Sequence, residues 1–201
     1  SYNNLDTLDV STNTALTHLE CQSNQLTSLD VSTNTALTWL RCSDNQLTSL
    51  DVSTNTALTN LRCDWNQLTS LDVSQNAALT DLWCWWNQLT SLDVRNGNNT
   101  NFTFFDITNN TNLSCINVDN AAWSTTNWTN IDSQHYFSNN CAAFGCTDST
   151  ALNYDPNANT DDGSCLYPGC TDTLANNYDA SANVDDGNCT YDIYGCTDSL
   201  A

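Results

Sequence analysis

Lysine and methionine are absent from this 201-residue chain, and glutamate occurs once, as Glu20. Three arginines stand against 23 acidic side chains, which gives a formal net charge of −20. A surface of that sign repels phosphate backbones and anionic headgroups. It lacks the basic field that nucleic-acid binding needs, and it disfavours anionic membranes. Apolar runs are only a few residues long, far short of the roughly 20 residues that span a bilayer as a helix. No charged-then-apolar leader opens the chain, so a signal peptide is expected to have been removed or to lie outside these residues. Catalytic vocabulary is equally thin. His18 and His135 are the only histidines, and neither Gly-x-Ser-x-Gly nor Cys-x-x-Cys occurs. The repeated Asp residues are evenly spaced and form no converging acid/base pair, so an enzyme is not expected.

What the chain does have is a repeat. A motif of 21 residues recurs from Leu8 to Leu29, Leu50, Leu71 and Leu92, and each copy nests two versions of a shorter one: Leu29, Val31, Asn34, then Leu40, Cys42, Asn45. Two short parallel strands and two Asn turns per coil follow, and stacked coils bury a continuous column of Leu, Val and Cys. The expected fold is therefore mainly β, a solenoid over residues 1–113. The last coil is irregular: Phe102, Phe105, Ile107 and Asn110 replace Leu79, Leu82, Cys84 and Asn87, while Leu113, Ile116 and Val118 carry the pattern on. Residues 114–144 read as a cap, with Trp123, Trp128 and Phe137 as lids over the final layer and Cys115 bridged to Cys141. Residues 145–201 hold two Gly-Cys-Thr-Asp units and the start of a third. Such units are too small for a core of their own, and a disulfide in each, Cys146 to Cys165 and Cys170 to Cys189, replaces the missing burial. Cys21, Cys42, Cys63 and Cys84 fall at an inward position and read as buried thiols. The bridges imply an oxidising, extracytoplasmic location. Leu5 and Leu8 open inside a half-coil and Cys196 has no mate, so further chain is expected at both ends.

Comparison between coils separates scaffold from variation. One half hardly changes, whereas the other varies at four outward places: His18, Trp39, Asn60, Asp81; Glu20, Arg41, Arg62, Trp83; Gln22, Ser43, Asp64, Trp85; and Ser23, Asp44, Trp65, Trp86. Five of the seven tryptophans and two of the three arginines lie on this strip. Trp and Arg are enriched at binding hot spots, and a row of indoles suits sugar rings. Alternatively, the aromatics merely cover neighbouring coils. The constant half presents Asp9, Asp30, Asp51, Asp72 and Asp93 at coil spacing. Like charges about 5 Å apart cost of order 1 kcal/mol per pair in water, relieved either by Ser and Thr donors or by bound cations. The Asn columns through Asn34 and Asn45 read as structural ladders. In the Cys-bridged units oxygen-bearing side chains alternate: Asp155, Asn157, Asn159, Asp161 and Asp162, then Asp179, Ser181, Asn183, Asp185 and Asp186. Two readings stand for these: Ca²⁺ ligation, or simple Asx turns.

The coil Leu-Thr-x-Leu-x-Cys-x-x-Asn-Gln-Leu-Thr-Ser-Leu-Asp-Val-Ser resembles the nested 21-residue class of bacterial leucine-rich repeats, over residues 5 to 118. The stretch after it resembles the cap that closes such arrays in secreted surface proteins. The Gly-Cys-Thr-Asp to Asp-Asp-Gly-x-Cys units resemble Cys-bridged tandem modules of large bacterial proteins exported by the type IX route. This resemblance implies an extracellular or cell-surface protein of a bacterium whose ligand the repeat class does not assign. It also implies O-glycosylation at Asp-Ser/Thr-x triplets, on Thr7, Ser149, Thr173 and Ser199. Two functional readings remain open. In one, a non-enzymatic adhesin binds a glycan or protein through His18, Trp39, Arg41, Asn60, Arg62, Trp65, Asp81, Trp83, Trp85 and Trp86. In the other, the chain is a structural subunit of a surface filament that associates end to end.

Overall fold

The computed structural model describes residues 3–142 and 144–192. They form two compact units, Ser1–Cys141 and Ala142–Ala201. The first is a parallel-stranded solenoid, and the spacing of its buried residues is that of the sequence repeat. In the coil that begins at Leu29, the side chains of Leu29, Val31, Leu37, Leu40, Cys42 and Leu47 point inward and are 7% exposed or less. Full burial of one such leucine stabilises by about 1.5–3 kcal/mol.

One sheet contains a strand from every coil. His18–Glu20, Trp39–Arg41, Asn60–Arg62, Asp81–Trp83 and Phe104–Asp106 pair in parallel, with Leu19, Leu40, Leu61, Leu82 and Phe105 in register. We call this the variable sheet. A second sheet orders Ser70–Asp72, Ser91–Asp93, Cys115–Asn117 and Tyr136–Ser138. The same half-coil around Leu29 and Leu50 buries its Leu and Val without forming a strand. Its backbone is held instead by Asn side chains. Asn55, fully buried, donates through Nδ2 to the carbonyls of Val31 at 3.1 Å and Asn34 at 2.9 Å in the preceding coil.

The far end is closed as expected. A short helix, Ala121–Asn127, starts where Asn120 Oδ1 accepts the Trp123 amide at 3.1 Å, a side-chain cap on an otherwise unpaired donor. Trp128 follows and stacks on Phe105 with centroids 3.9 Å apart, and Phe137 packs against Trp128 at 5.6 Å. The Cys115–Cys141 bridge is formed. His135 is structural: it is buried, and its Nε2 lies 3.2 Å from the Asn110 carbonyl.

The second unit repeats one small design twice. Cys146–Cys165 and Cys170–Cys189 are bridged, and two-residue parallel pairs join Phe144–Gly145 to Thr160–Asp161 and Pro168–Gly169 to Val184–Asp185. Among the described residues, the buried apolar cluster around the first bridge is Cys146, Ala151 and Cys165, with Tyr167 against them. Glycine is required where backbones meet: a Cβ on Gly169 would stand 2.8 Å from the Ala182 Cβ. Tyr167 donates to Asp148 Oδ2 and Tyr191 to Asp172 Oδ2, each at 2.7 Å. Cys196 lies outside the described residues.

Candidate functional site

Alternation along each strand of the variable sheet buries the central Leu and turns its two neighbours outward. His18, Trp39, Asn60, Asp81 and Phe104 form one column; Glu20, Arg41, Arg62, Trp83 and Asp106 form the next. Phe104 and Asp106 belong to these columns although the sequence reading stopped at Asp81 and Trp83. The alignment of Phe105 with Leu82 already contained them.

The strip divides in two. Along its middle the side chains lock sideways into one another. The Arg62 guanidinium lies 3.0 Å from the Trp83 ring centroid and 5.4 Å from that of Trp39, and Trp83 meets Phe104 edge-on at 4.4 Å. These four residues are half-buried, so here the aromatics do cover neighbouring coils. Burial also lowers the Arg62 pKa. Gln22 and Ser43, expected to face outward, are buried, whereas Asp64 and Trp85 of the same column are half-buried. Asp64 is half-buried and accepts from Ser43 Oγ at 2.7 Å. Desolvation raises its pKa, opposed by that hydrogen bond. Asn60 and Asp81 hold the Thr ladder beside them: Thr59 Oγ1 donates to Asn60, and Thr80 and Thr103 donate to Asp81. His18 is exposed, with Nδ1 3.0 Å from Thr17 Oγ1.

Along the rim the picture is different. The turn Cys-x-x-Asn, with Ile107 in place of Cys in the last coil, holds its third residue at positive φ each time: Ser23 at 55°, Asp44 at 54°, Trp65 at 53°, Trp86 at 52° and Asn109 at 60°. Left-handed backbone costs an L-residue roughly 1–2 kcal/mol and suits Asn and Asp far better than an indole. The turn is locked by inter-coil bonds, such as Trp65 N to Trp85 O at 3.1 Å, and by the following Asn side chain. Trp65 and Trp86 are each 46% exposed and stack on one another at 4.6 Å with 2° between planes; Trp85 meets Trp65 edge-on at 5.7 Å. On the strip as a whole, five buried polar atoms have no protein partner: Gln22 Oε1, Trp39 Nε1, Arg41 Nε, Arg62 Nε and Trp83 Nε1.

Elsewhere the donors expected beside the Asp column are present. Asp9, Asp30, Asp51 and Asp72 each accept the amide two residues on at 2.8–2.9 Å. Hydrogen bonds from Ser11, Ser32 and Ser53 lower the pKa of Asp9, Asp30 and Asp51 respectively. Asp93 is paired with Arg95.

In the Cys-bridged units Asp155, Asp161, Asp162, Asp179, Asp185 and Asp186 each accept the amide two residues on, through Oδ1. Ser181 Oγ also donates to Asp179, Asn159 accepts from Thr160, and Asn183 bridges Tyr167 N and the Cys165 carbonyl. Asn157 supplies its amide to Asp155 and is exposed. Each carboxylate closes its own turn. No group of three or more His, Cys, Asp or Glu among the described residues is placed to hold a metal ion. The Asp-Asp-Gly turns end on Gly163 and Gly187 at φ 77° and 74°.

Ser149 and Thr173 are exposed mid-turn residues: Asp148 Oδ1 accepts Thr150 N at 2.8 Å and Asp172 Oδ1 accepts Leu174 N at 2.9 Å. Thr7 is also exposed, beside Asp6. Ser199 lies outside the described residues. Cys21, Cys42, Cys63 and Cys84 are free and buried. Burial pushes the Cys21 thiol up to about 11 and raises the other three as well. Among the described residues no helix is long and apolar enough to cross a membrane.

Among solved structures the chain is similar to the functional domain of InlJ from Listeria monocytogenes, which includes a cysteine ladder. Identity is 35%, the match covers 58% of this chain and 37% of that one, and the TM-score is 0.44. No protein-family profile and no curated protein sequence matches the chain.

Proposed function

We propose that this is a non-catalytic extracellular recognition protein that binds a glycan or protein ligand with the rim of its variable sheet. The observation that carries the reading is the Trp65–Trp86 pair. Sister coils fill the same turn with Ser23, Asp44 and Asn109, so the fold itself has no need of indoles there. Left-handed backbone costs them roughly 1–2 kcal/mol each, which the stack offsets by about 0.5–1.5 kcal/mol beyond the area it buries, while each indole stays 46% exposed. Exposed aromatic surface held at that expense is what a hot spot looks like.

Three disulfides support an oxidising location. The two histidines support the absence of catalysis, since one caps the Thr17 hydroxyl and the other ties the cap together. In this reading the Cys-bridged units are a stalk, with Ser149 and Thr173 as O-linked sugar acceptors; peptide masses of native material test that point directly.

Binding of the full chain to glycan and protein arrays tests the reading. Trp86→Ala is expected to lower affinity at least tenfold, while Asp51→Ala on the opposite side leaves it unchanged. Equal loss in both, or in neither, would sink the proposal.

A further inference from the structure

Between Trp65 and the two coils that precede it lies a hollow of about 360 Å³, within the size range of small-molecule sites. Trp86 covers one face of the Trp65 ring, and the hollow opens on the other. Apart from Trp65 its lining is polar: Gln22, Ser23, Arg41, Ser43, Asp44 and Asp64. Two of these groups are incompletely satisfied. Gln22 is only 8% exposed and its Oε1 has no hydrogen-bond partner; Arg41 Nε is buried and has none either. A buried polar atom without a partner is costly, and here an acceptor and a donor in that condition belong to side chains that line one hollow beside an exposed indole.

We infer that this hollow is a binding site for one neutral sugar residue, seated with a C–H face on Trp65 and its hydroxyls on Gln22 and Arg41. The inference rests on the recognition reading above and narrows it. Elimination by charge and hydrogen bonding gives the ligand class. An anionic ligand would answer Arg41 but would face Asp44 and Asp64 and leave Gln22 Oε1 unpaired. A cationic ligand would suit the two carboxylates but would oppose the Arg41 guanidinium and offer it no acceptor. A hydroxyl both donates and accepts, so adjacent hydroxyls on one ring satisfy the two groups together without adding charge. The flat indole wall, already braced from behind by Trp86, then takes the apolar face of the ring.

The test uses the full chain against an array of neutral, acidic and amino sugars, followed by titration calorimetry and saturation-transfer NMR on any neutral glycan that binds. Neutral glycans are expected to bind, with the strongest saturation on the C–H protons of one ring face. Trp65→Asn should weaken binding at least tenfold while the protein stays folded, because Asn suits the left-handed turn. Gln22→Leu, which removes the unpaired acceptor and leaves the indole in place, should weaken it severalfold. Preference for acidic or amino sugars, or unchanged affinity in both variants, would overturn the inference. A blank glycan array alongside a protein ligand whose binding Trp86→Ala abolishes would also overturn it while leaving the recognition reading intact. Binding of neither class would remove both.

Discussion

Replacing Asn66 by alanine should be among the most damaging single changes in the solenoid, although it removes no apolar surface. Its Oδ1 accepts Leu47 N at 3.0 Å, and its Nδ2 donates to the carbonyls of Cys42 and Cys63 at 3.1 Å and of Asp64 at 3.3 Å. The losses are unequal. Cys42 O keeps a second donor in Asn45 and Cys63 O keeps one in Asn87, so each loses one bond of two, at about 0.5–1.5 kcal/mol net. Leu47 is fully buried, and its amide has no other acceptor within reach of water; orphaning it costs about 1–3 kcal/mol. The sum is about 2–6 kcal/mol. Since Asn66 reaches back 19 residues to Leu47 and 24 to Cys42, the damage should run into the preceding coil, as nearest-neighbour coupling in a repeat array requires. Denaturant unfolding followed by circular dichroism measures the total, and hydrogen exchange shows where it falls. A loss below about 1 kcal/mol, or exchange confined to the turn at Asn66, would refute the role given to the Asn ladder.

Alkali should loosen the solenoid before it affects the Cys-bridged unit. The four ladder thiols are raised above their ordinary 9.0 by burial, Cys21 to about 11, so their protonated form is favoured in the fold. Their contribution is complete below pH 9 and falls as pH rises beyond it, at about 1.4 kcal/mol per pH unit for each thiol. That of Cys21 is spent by about pH 11, while the other three, raised by burial as well, go on losing theirs; a melting temperature flat to pH 11 would contradict this. Calcium removal should change little, since the Asp side chains of residues 155–186 close their own turns. A chelator is expected to leave the melting temperature and exchange pattern as they are, and protection gained on adding Ca²⁺ would favour the cation reading instead. Cys170→Ser with Cys189→Ser should unfold residues 169–189 alone, because an open loop of this length loses about 3 kcal/mol of chain restraint and the unit has little core to replace it; retained protection there by hydrogen exchange would show otherwise.

The solenoid was legible because its repeat fixes side-chain direction coil by coil. Leu40, Cys42 and Asn45 could be placed from their spacing alone, as could Phe105 and Ile107 in the irregular coil. The bridges were legible because residues 145–189 offer so little else to hold them. Less of the site could be read. That Trp39 and Trp83 fold inward onto Arg62 depends on side-chain packing between coils, which spacing does not encode. The burial of Gln22 and Ser43, at a position where Asp64 and Trp85 are only half-buried, likewise depends on what the next coil lays over each side chain, as Asp64 does over Ser43. The left-handed backbone under Trp65 and Trp86 was signalled by Asn109, Asp44 and Ser23 at the same place, residues that favour such turns, but the two indoles masked the signal. Strand pairing in the constant half begins only at Ser70, where backbone bonds join the Asn ladder that continues through Asn76 and Asn96.

Whether the rim is free or covered decides most between recognition and filament assembly. Hydroxyl-radical footprinting of the full chain over a range of concentrations, with mass photometry of the same samples, measures this at Trp65 and Trp86. Recognition requires a monomer in which both indoles are oxidised readily at every concentration while buried Trp128 is spared. Protection of Trp65 and Trp86 that grows with the mass of ordered assemblies would contradict it and would make the rim a contact between copies of the chain.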